Sequence, residues 1–455
     1  MYILYRTLEI INYVVIAITT LGFGVQILFI LLSWVPKKGY PKAKRNHRFA
    51  VIIPAHNESS VIGNTVKNLF DKQTYPRGFY DVFVCADNCT DDTTEIAGKA
   101  GATVIYRQDD NPAHRKASYP VKYLMDWILE NHPGEYDAFI KLDADNLVCD
   151  QFLEKMNDAL DSGVDIAKAY EASSNLSQNI WTKVSGTYYV RDSRIPCRVR
   201  QFFHMDQILS GAGMMVSTRC IEQIGGWDSM GVSDDSEFSA KRLLEGWRIK
   251  YVEEAIVYED QPSTLKDTFF RLSRMAKGIN SVFWRSLTRM IGRFFKTGRL
   301  SYLDYPLTMM FVPIAVMCIV WFPAYYIFYS LVNIVQISTA ANIGIYPALA
   351  DPQAYAVSQM YNLLFMIACV VAGYILIYAG QTWLAVFMDR KKLGLSRSLK
   401  GARSGILLSP IFMVLYAIAI CYGVFAKSKW RSVTRNVPKA VDKTDSSAGT
   451  SAESQ

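Results

Sequence analysis

The chain has 455 residues and a formal net charge of +8, and 51% of its residues are hydrophobic while 20% are charged. This length allows one domain of moderate size plus further apolar segments. The basic clusters beside those segments favour an anionic membrane surface over nucleic acid as the partner. The eight cysteines include no Cys-x-x-Cys pair, which disfavours both disulfide bonds and a zinc site.

The first predicted element is the apolar, uncharged stretch from Ile10 to Trp34. It is too long for the core of a signal peptide, and no small-residue cleavage site follows it. We therefore expect residues 1–35 to form an N-terminal transmembrane anchor. The segment from Pro36 to Arg48 is basic and contains no acidic residue, which predicts that the chain after the anchor lies in the cytoplasm.

Between Phe49 and about Tyr170, short apolar runs alternate with amphipathic stretches. This alternation is typical of right-handed βαβ units and predicts a parallel sheet. No Gly-x-Gly-x-x-Gly follows the first strand, which disfavours a dinucleotide site. The predicted strands are Phe49–Pro54, Tyr80–Asp87, Ala102–Tyr106 and Ala138–Asp143.

Two carboxylates, Asp143 and Asp145, stand at the end of the last of these strands with only an alanine between them. Ligands of open α/β sheets collect at the carboxyl ends of the strands. Mg²⁺ prefers one or two carboxylates together with the phosphates of a substrate. The pair therefore predicts a site for Mg²⁺ or Mn²⁺, the alternative being that both aspartates cap the next helix.

Other polar residues are expected at the same edge of the sheet. Asp87 ends the second strand and can accept hydrogen bonds from a ribose or a base edge. Arg115 and Lys116, between the third and fourth strands, could reach a phosphate group. For each of these residues taken alone, a plain surface position is the alternative.

The ordered set of these segments resembles glycosyltransferase family 2, whose members are inverting enzymes that use nucleotide sugars. The resemblance implies an α/β fold of the GT-A (Rossmann-like) type for the cytosolic domain, with transmembrane helices on its N- and C-terminal sides. It runs from Val51 to about Gly278. The segments that carry it are Pro54-Ala-His-Asn-Glu58, Asp87-Asn-Cys-Thr-Asp, Lys116, Asp143-Ala-Asp145, Gly211-Ala-Gly213, Gly225-Gly-Trp227, and Ser233-Asp-Asp235 followed by Arg242 and Gly246.

The resemblance also implies roles for individual residues. Asp235 would be the general base that takes the proton of the acceptor hydroxyl, with a helix cap as the alternative role for Asp234 and Asp235. Asp143 and Asp145 would bind the metal and the diphosphate, and Lys116 would lie near the diphosphate. The uridine side of the donor would be held by Pro54, Glu58 and Asp87, and the acceptor side would include Gly211, Gly213 and Asp234.

In the polysaccharide synthases of this family, a Gln/Arg-x-x-Arg-Trp motif on an interfacial helix contacts the diphosphate and stacks on the acceptor sugar. Arg271 and Arg274 match that motif, so we expect them on the donor side. Met275 stands where the tryptophan would be and offers an apolar contact without an aromatic face. How the acceptor is held, and whether synthesis is processive, therefore stays open at this position.

The rest of the chain predicts a membrane-associated C-terminal part. Arginines at 285, 289 and 293 recur every four residues, which suits amphipathic interfacial helices over residues 261–300. The lack of Lys or Arg between residues 332 and 381 predicts an external loop, and the basic segment 389–403 predicts an internal one. The remaining predicted segments are a catalytic domain at 48–260 and transmembrane spans at 305–335, 357–388 and 405–426. The tail at 427–455 is predicted to be basic at first and then disordered, and the side of the membrane on which it lies stays open.

Together these features predict a multi-pass protein of the cell membrane with a cytoplasmic catalytic domain. It would be a β-glycosyltransferase, specifically an inverting hexosyltransferase, that moves a sugar from a UDP-sugar to a growing polysaccharide in a metal-dependent single displacement. One alternative is a single transfer to a lipid carrier or another lipid acceptor. A second alternative is a catalytically silent membrane scaffold. The expected partners are the nucleotide sugar, a glycan or lipid acceptor, and membrane lipids.

Overall fold

The computed structural model describes residues 2–343 and 352–425 of the chain. The predicted tail at 427–455 lies outside the described residues. The strands are β1 (Phe49–Ala55), β2 (Tyr80–Asp87), β3 (Thr103–Arg107), β4 (Ala138–Lys141), β5 (Leu147–Val148), β6 (Ile166–Ser173), β7 (Met214–Ser217) and β8 (Ile249–Glu259).

The helices that alternate with these strands and follow them are α1 (Tyr2–Leu31), α2 (Ile62–Lys72), α3 (Thr93–Lys99), α4 (Ser118–Asn131), α5 (Phe152–Asp161), α6 (Ile180–Asp192), α7 (Arg198–Phe202), α8 (Thr218–Gln223), α9 (Asp234–Glu245), α10 (Leu265–Thr297), α11 (Ser301–Ile343), α12 (Pro352–Met388) and α13 (Arg403–Phe425). The strand and helix alternation predicted for the first half of the chain is therefore confirmed.

The strands form one 8-stranded sheet in the order β3-β2-β1-β4-β7-β6-β8-β5. β1 is parallel to β2 and β4, and β2 is parallel to β3, as the sequence predicts. The sheet as a whole is mixed rather than parallel, because β7 runs antiparallel to both β4 and β6, and β5 runs antiparallel to β8. Helices separate β7 from β6 and from β8 in the chain just as they separate the parallel strands, so strand-helix alternation does not by itself fix the direction of a strand.

Both faces of the sheet are covered, which explains why its strands read as continuous apolar runs. On β1, Val51 and Ile53 face a cluster that includes side chains of α2 and α5. Ala50 and Ile52 face the opposite cluster, which includes side chains of α4 and α9. The helices thus fix the sheet from both sides and leave the carboxyl ends of its strands free to carry polar residues.

Among the residues that the structure describes, three helices are long and apolar enough to cross a membrane, judged by length and composition: Thr7–Trp34, Met360–Met388 and Arg403–Gly423. They coincide with the spans predicted at 1–35, 357–388 and 405–426, and Pro410 does not break the last of them. The span predicted at 305–335 falls in α11, where the side chains of 311–319 and 333–343 are not described and Val320–Val332 is a shorter apolar stretch. That span stays a prediction.

Candidate active site

The two aspartates that follow β4 lie in a turn and not in the strand itself. The strand ends at Lys141, so the prediction that it extends to Asp143 is wrong. The physical reason is Asn146: its side-chain Oδ1 accepts a hydrogen bond from the Asp143 N–H at 2.9 Å, and its own N–H donates to the Asp143 carbonyl at 3.0 Å. These bonds close a local turn, because Asn competes for backbone groups in this way.

The donor set at this turn fits a divalent cation that is completed by a substrate. The side chain of Asp143 is 38% exposed. Asp145 is 1% exposed, and its Oδ1 accepts a hydrogen bond from Asn146 Nδ2 at 3.3 Å. Across residues 2–343 and 352–425, no three His, Cys, Asp or Glu side chains are grouped to hold a metal. Two carboxylates with phosphate oxygens are nevertheless the usual ligands of Mg²⁺, so Asp143 and Asp145 fit such an ion.

Lys141 is a buried cation between these aspartates and the first turn of α9. Its Nζ lies 3.8 Å from Asp143 Oδ1 and donates to the carbonyl of Gly211 at 3.3 Å. Burial alone would lower the pKa of Lys141, but the charges of Asp143, Asp234 and Asp235 raise it above its ordinary value. The amine therefore stays charged in the middle of an acidic cluster that consists of Asp143, Asp234 and Asp235. Lys141 was not among the site residues predicted from the sequence, although it is a lysine inside an apolar strand.

Asp234 and Asp235 are the first two residues of α9. Asp235 Oδ1 accepts a hydrogen bond from the Ser236 N–H at 2.7 Å. Asp234 is buried, and within the part of the chain that the structure describes its Oδ2 has no hydrogen-bond partner. Burial and, after it, the adjacent charge of Asp234 raise the pKa of Asp235 to about 6, against the opposing charge of Lys141. Asp235 is thus a stronger base than an ordinary aspartate and is still ionised at neutral pH.

The two glycines expected on the acceptor side differ in their surroundings. Gly211 has φ +88°, and a Cβ there would lie 3.3 Å from Asp235 Oδ2. Glycine at this position keeps the space beside the Asp235 carboxylate open. Gly213 has φ +65°, and a Cβ there would lie 2.9 Å from the Cβ of Ala169. Its close approach to β6 is a packing requirement, so only Gly211 borders the carboxylate.

The residues expected to hold the nucleotide lie at the ends of β1 and β2. Pro54 belongs to β1, and Glu58 follows it in the turn before α2, where its N–H donates to Thr93 Oγ1 at 2.8 Å. Asp87 ends β2 and is buried, with its Oδ1 held by the guanidinium of Arg107. Arg107 was not among the site residues predicted from the sequence. Its position at the end of the third strand, beside a second strand that ends in Asp87, is the signal that could have found it.

Lys116 is only partly exposed, and its Nζ donates to the carbonyl of Met230 at 3.2 Å. It borders a groove of about 900 Å³ between α9 and α10. The basic side chains that line this groove are Lys116, Lys241, Lys277, Arg285, Arg289, Arg293 and Lys296. The outer side of α10 also exposes Trp284, Ile291 and Phe295 next to these charges.

The helix α10 carries Arg271, Arg274 and Met275 past the acidic cluster. Arg271 pairs with Glu259 at the end of β8 and donates to the hydroxyl of Tyr189 at 3.2 Å. Arg274 is exposed, whereas Met275 is partly buried and its Sδ lies 3.8 Å from the Tyr189 hydroxyl. The structure therefore brings Arg271 and Met275 to one side of the cluster, with Glu259 and Tyr189 as neighbours that the sequence analysis did not assign.

Similarity to known proteins covers mainly the α/β domain. A family model described as "Glycosyltransferase like family 2" matches residues 47–278, just over half of the chain. The β-monoglucosyldiacylglycerol synthase of Nostoc sp. is 24% identical over 233 residues, which cover 50% of this chain and 48% of that protein. The probable glycosyltransferase YdaM of Bacillus subtilis is 24% identical over 277 residues, which cover 58% of this chain and 62% of that protein. The chain thus spans about half to three fifths of these relatives.

Among solved structures, a similar one is the mannosyltransferase PcManGT from Pyrobaculum calidifontis in complex with GDP-Man and Mn²⁺. Its sequence identity is 15% and its TM-score is 0.49, with 90% of this chain and 98% of that chain covered. A second is TarS from S. aureus in complex with UDP, with 16% identity and a TM-score of 0.34 over 51% of this chain and 65% of that chain.

Proposed function

The chain belongs to the family 2-like glycosyltransferases, and from this premise we propose that it transfers a sugar from a nucleotide sugar to an acceptor hydroxyl. The observation that carries the proposal is the first turn of α9. There Asp235 lies beside Lys141 and near Asp143, and its pKa is raised to about 6. Sugar transfer needs a base for the acceptor hydroxyl and positive charge for the leaving diphosphate. Asp235 would be the base, and the positive charge would come from Lys141 and from a metal bound by Asp143.

Asp235 would act as the general base. The attacking hydroxyl must lose its proton as it bonds to the anomeric carbon, and a carboxylate with a pKa of about 6 is ionised at neutral pH yet binds the proton more tightly than an ordinary aspartate. General-base catalysis of this kind contributes roughly 10²- to 10⁴-fold. A single displacement by this hydroxyl would invert the anomeric centre, so an α-linked donor would give a β-linked product.

The leaving diphosphate would be stabilised from the side of β4. Asp143 and Asp145 would hold Mg²⁺ or Mn²⁺, and this ion, when bound, supplies positive charge to the departing diphosphate. Lys141 holds a positive charge at the start of the same turn. Lys116 is one of the basic residues that line the groove between α9 and α10. Pro54, Glu58 and Asp87 would bind the nucleoside part of the donor, which we expect to be uridine.

For the acceptor, we favour a membrane lipid over a growing polysaccharide. Met275 lacks the aromatic face on which a sugar chain could stack. A relative that aligns with the α/β domain is named a β-monoglucosyldiacylglycerol synthase, a name that refers to a lipid product. Polysaccharide extension is the second candidate, because Arg271 and Arg274 match the motif of polysaccharide synthases. In either case the α/β domain would lie on the cytoplasmic side, with α10 along the membrane surface.

Full-length protein purified in detergent should be incubated with radiolabelled UDP-glucose, UDP-N-acetylglucosamine and GDP-mannose, with Mg²⁺ or Mn²⁺. Dioleoylglycerol would serve as the lipid acceptor. Label in the chloroform phase indicates a lipid product, and label retained as high-mass material indicates a polymer. We expect Asp143→Asn to lose transfer, and the control Asp71→Asn, at an exposed position at the end of α2, to keep it.

The proposal would be overturned by the absence of both transfer and donor hydrolysis for every sugar tested with either metal. That result would favour the silent scaffold. Equal activity of Asp143→Asn and wild type would contradict the role of the β4 turn and leave the rest of the site to be tested.

A further inference from the structure

Glu171, near the carboxyl end of β6, is a buried carboxyl group that the chemistry proposed above does not use. The residue is 2% exposed, and within residues 2–343 and 352–425 neither of its carboxylate oxygens has a hydrogen-bond partner. The Nζ of Lys168 lies 3.9 Å from Glu171 Oε1 and closer to Asp192, at 3.5 Å. Buried polar groups in native proteins almost always have a partner. The two oxygens therefore point to a ligand.

The strand order puts Glu171 on the side of the sheet away from the residues expected to hold the nucleotide. β1 and β2, which end near Glu58 and Asp87, lie on one side of β4, whereas β7, β6 and β8 lie on the other. β6 runs in the same direction as β4, since both are antiparallel to β7. Glu171 and the turn at Asp143 are thus at the same edge of the sheet, with Glu171 on the half that an acceptor would occupy.

Burial is the main reason why the carboxyl group of Glu171 holds its proton at physiological pH. Burial, together with the charges of Glu259, Asp192 and Asp235, raises the pKa of Glu171 to about 8 against the opposing charge of Lys168. A protonated carboxyl group can both donate and accept a hydrogen bond. The titratable groups that face it are Lys168 on β6, Tyr188, Tyr189 and Asp192 on α6, Cys197 before α7, Asp235 on α9 and Glu259 on β8.

We propose that Glu171 is an acceptor-positioning residue that binds a neutral oxygen of the acceptor, such as a hydroxyl or an ester oxygen, near the hydroxyl that attacks. The inference rests on the transferase function proposed above and narrows its substrate class. A phosphate at this position would bring negative charge next to Asp192, Asp235 and Glu259, and like charges repel strongly where water is excluded. The acceptor is therefore a neutral glycerolipid or sugar and not a lipid phosphate.

The test compares three acceptors with the purified full-length enzyme: dioleoylglycerol, cellotetraose and undecaprenyl phosphate. Donor hydrolysis by the wild type without any acceptor tests the transferase site separately. We expect one of the neutral acceptors to be used and undecaprenyl phosphate to be used at least about tenfold less well. Glu171→Ala should raise the KM for the neutral acceptor about tenfold, the effect of one lost buried hydrogen bond, with a smaller change in kcat. Glu130→Gln, at an exposed position on α4, is the control.

A pH profile separates acceptor binding from a merely structural role. Since Glu171 donates its hydrogen bond only when protonated, the wild-type rate should fall as the pH rises through about 8. Glu171→Gln, which keeps a neutral donor in a similar shape, should restore the KM that Glu171→Ala loses and should lack that alkaline fall.

Preference for undecaprenyl phosphate would overturn the inference, as would an unchanged KM in Glu171→Ala or an alkaline fall that persists in Glu171→Gln. Hydrolysis of the donor without transfer to either neutral acceptor would contradict it too, while leaving the transferase site standing. Loss of donor hydrolysis in the wild type would overturn the function and this inference together.

Discussion

At the scale of single residues, the proposed base Asp235 lowers the stability of the folded protein at neutral pH. Its pKa is raised from 3.8 to about 6, first by burial and then by the charge of Asp234. The folded protein therefore binds this proton more tightly than the unfolded chain does. The stability that comes from this group is complete below pH 3.8 and is lost as the pH rises through about 6. At neutral pH the ionised carboxylate is retained at a cost in stability.

We expect Asp235→Asn to reduce sugar transfer at least about 10²-fold and to raise the melting temperature at pH 7.5. The amide resembles the protonated carboxyl group and lacks the charge that the buried position disfavours, a gain on the order of 3 kcal/mol. Thermal melts at pH 7.5 and pH 5 should show a difference that shrinks at the lower pH. Asp71→Asn should change neither property. A lower melting temperature for Asp235→Asn at pH 7.5 would contradict the assignment.

The charge of Asp234 affects the titration of the proposed base, because it is one cause of the raised pKa of Asp235. Replacing it with a neutral residue removes that repulsion and lowers the pKa of Asp235. The rate of sugar transfer should rise with pH through about 6 in the wild type, and Asp234→Asn should move this acid limb to lower pH. The pH dependence of kcat/KM measures the shift. An acid limb that stays in place or moves upward would show that Asp235 is not the titrating base.

The residues that the sequence could predict are those that follow a strand or begin a helix within a short motif. Asp143, Asp145 and Asp235 belong to this group, since a few neighbouring letters define each of them. Glu171 could not be predicted, because the charges that act on it come from distant parts of the chain: Asp192 on α6, Asp235 in the first turn of α9 and Glu259 at the end of β8. Arg107 is intermediate, because its partner Asp87 lies on the adjacent strand and is visible only once the strands are paired.

At the scale of elements, a buried ion pair joins the α/β domain to α11. Arg200 on α7 donates from Nε to Asp304 Oδ2 on α11 at 2.7 Å, and a second nitrogen donates to Thr308 Oγ1 at 2.7 Å. The two charged side chains are 3% and 7% exposed. Such a pair holds two elements in register because either charge alone would be buried without compensation.

Asp304→Asn should therefore destabilise the junction between α7 and α11 by about 3–5 kcal/mol, since it leaves the Arg200 charge buried and unpaired. The double variant Arg200→Met with Asp304→Leu should recover most of the loss, because apolar groups of similar volume replace the pair. Thermal melts together with limited proteolysis near residue 300 would measure both effects. Arg219→Met, which breaks an exposed pair with Asp165, is the matched control and should change little. Equal stability of Asp304→Asn and wild type would contradict the argument.

The elements themselves were predictable where the signal is local. The four parallel strands β1 to β4 were predicted from the alternation of apolar and amphipathic segments. Their parallel direction and their order along the chain agree with the structure. The direction of β7 was not predictable, because helices separate it from β6 and β8 just as they separate the parallel strands, and no local signal marks it as antiparallel. The end of β4 at Lys141 was missed for a different reason: the turn depends on the side chain of Asn146 and not on hydropathy.

At the scale of the whole molecule, the charges and the contacts agree on which segments share a side. The segment from Pro36 to Arg48 leads from α1 into the α/β domain and is basic. The connection between α12 and α13 is basic as well, and it contacts that domain directly. Arg194 Nε lies 3.2 Å from Asp389 Oδ1, and Lys392 Nζ lies 2.6 Å from Glu253 Oε1. We therefore expect the α/β domain and the 389–403 connection to lie on one side of a membrane, and the positive-inside tendency predicts that this side is the cytoplasm.

The opposite side should contain the connection between α11 and α12, since no Lys or Arg occurs between residues 332 and 381. In a bacterial host, alkaline phosphatase fused after residue 350 should be active and a green fluorescent protein fused there should be dark. The same fusions after residue 395 should give the reverse result, because that connection carries Lys and Arg and contacts the α/β domain. Fusions after residue 250, within the domain, serve as the cytoplasmic reference. Fluorescence at both 350 and 395 would mean that α12 does not cross the membrane, and the two connections would then share a side.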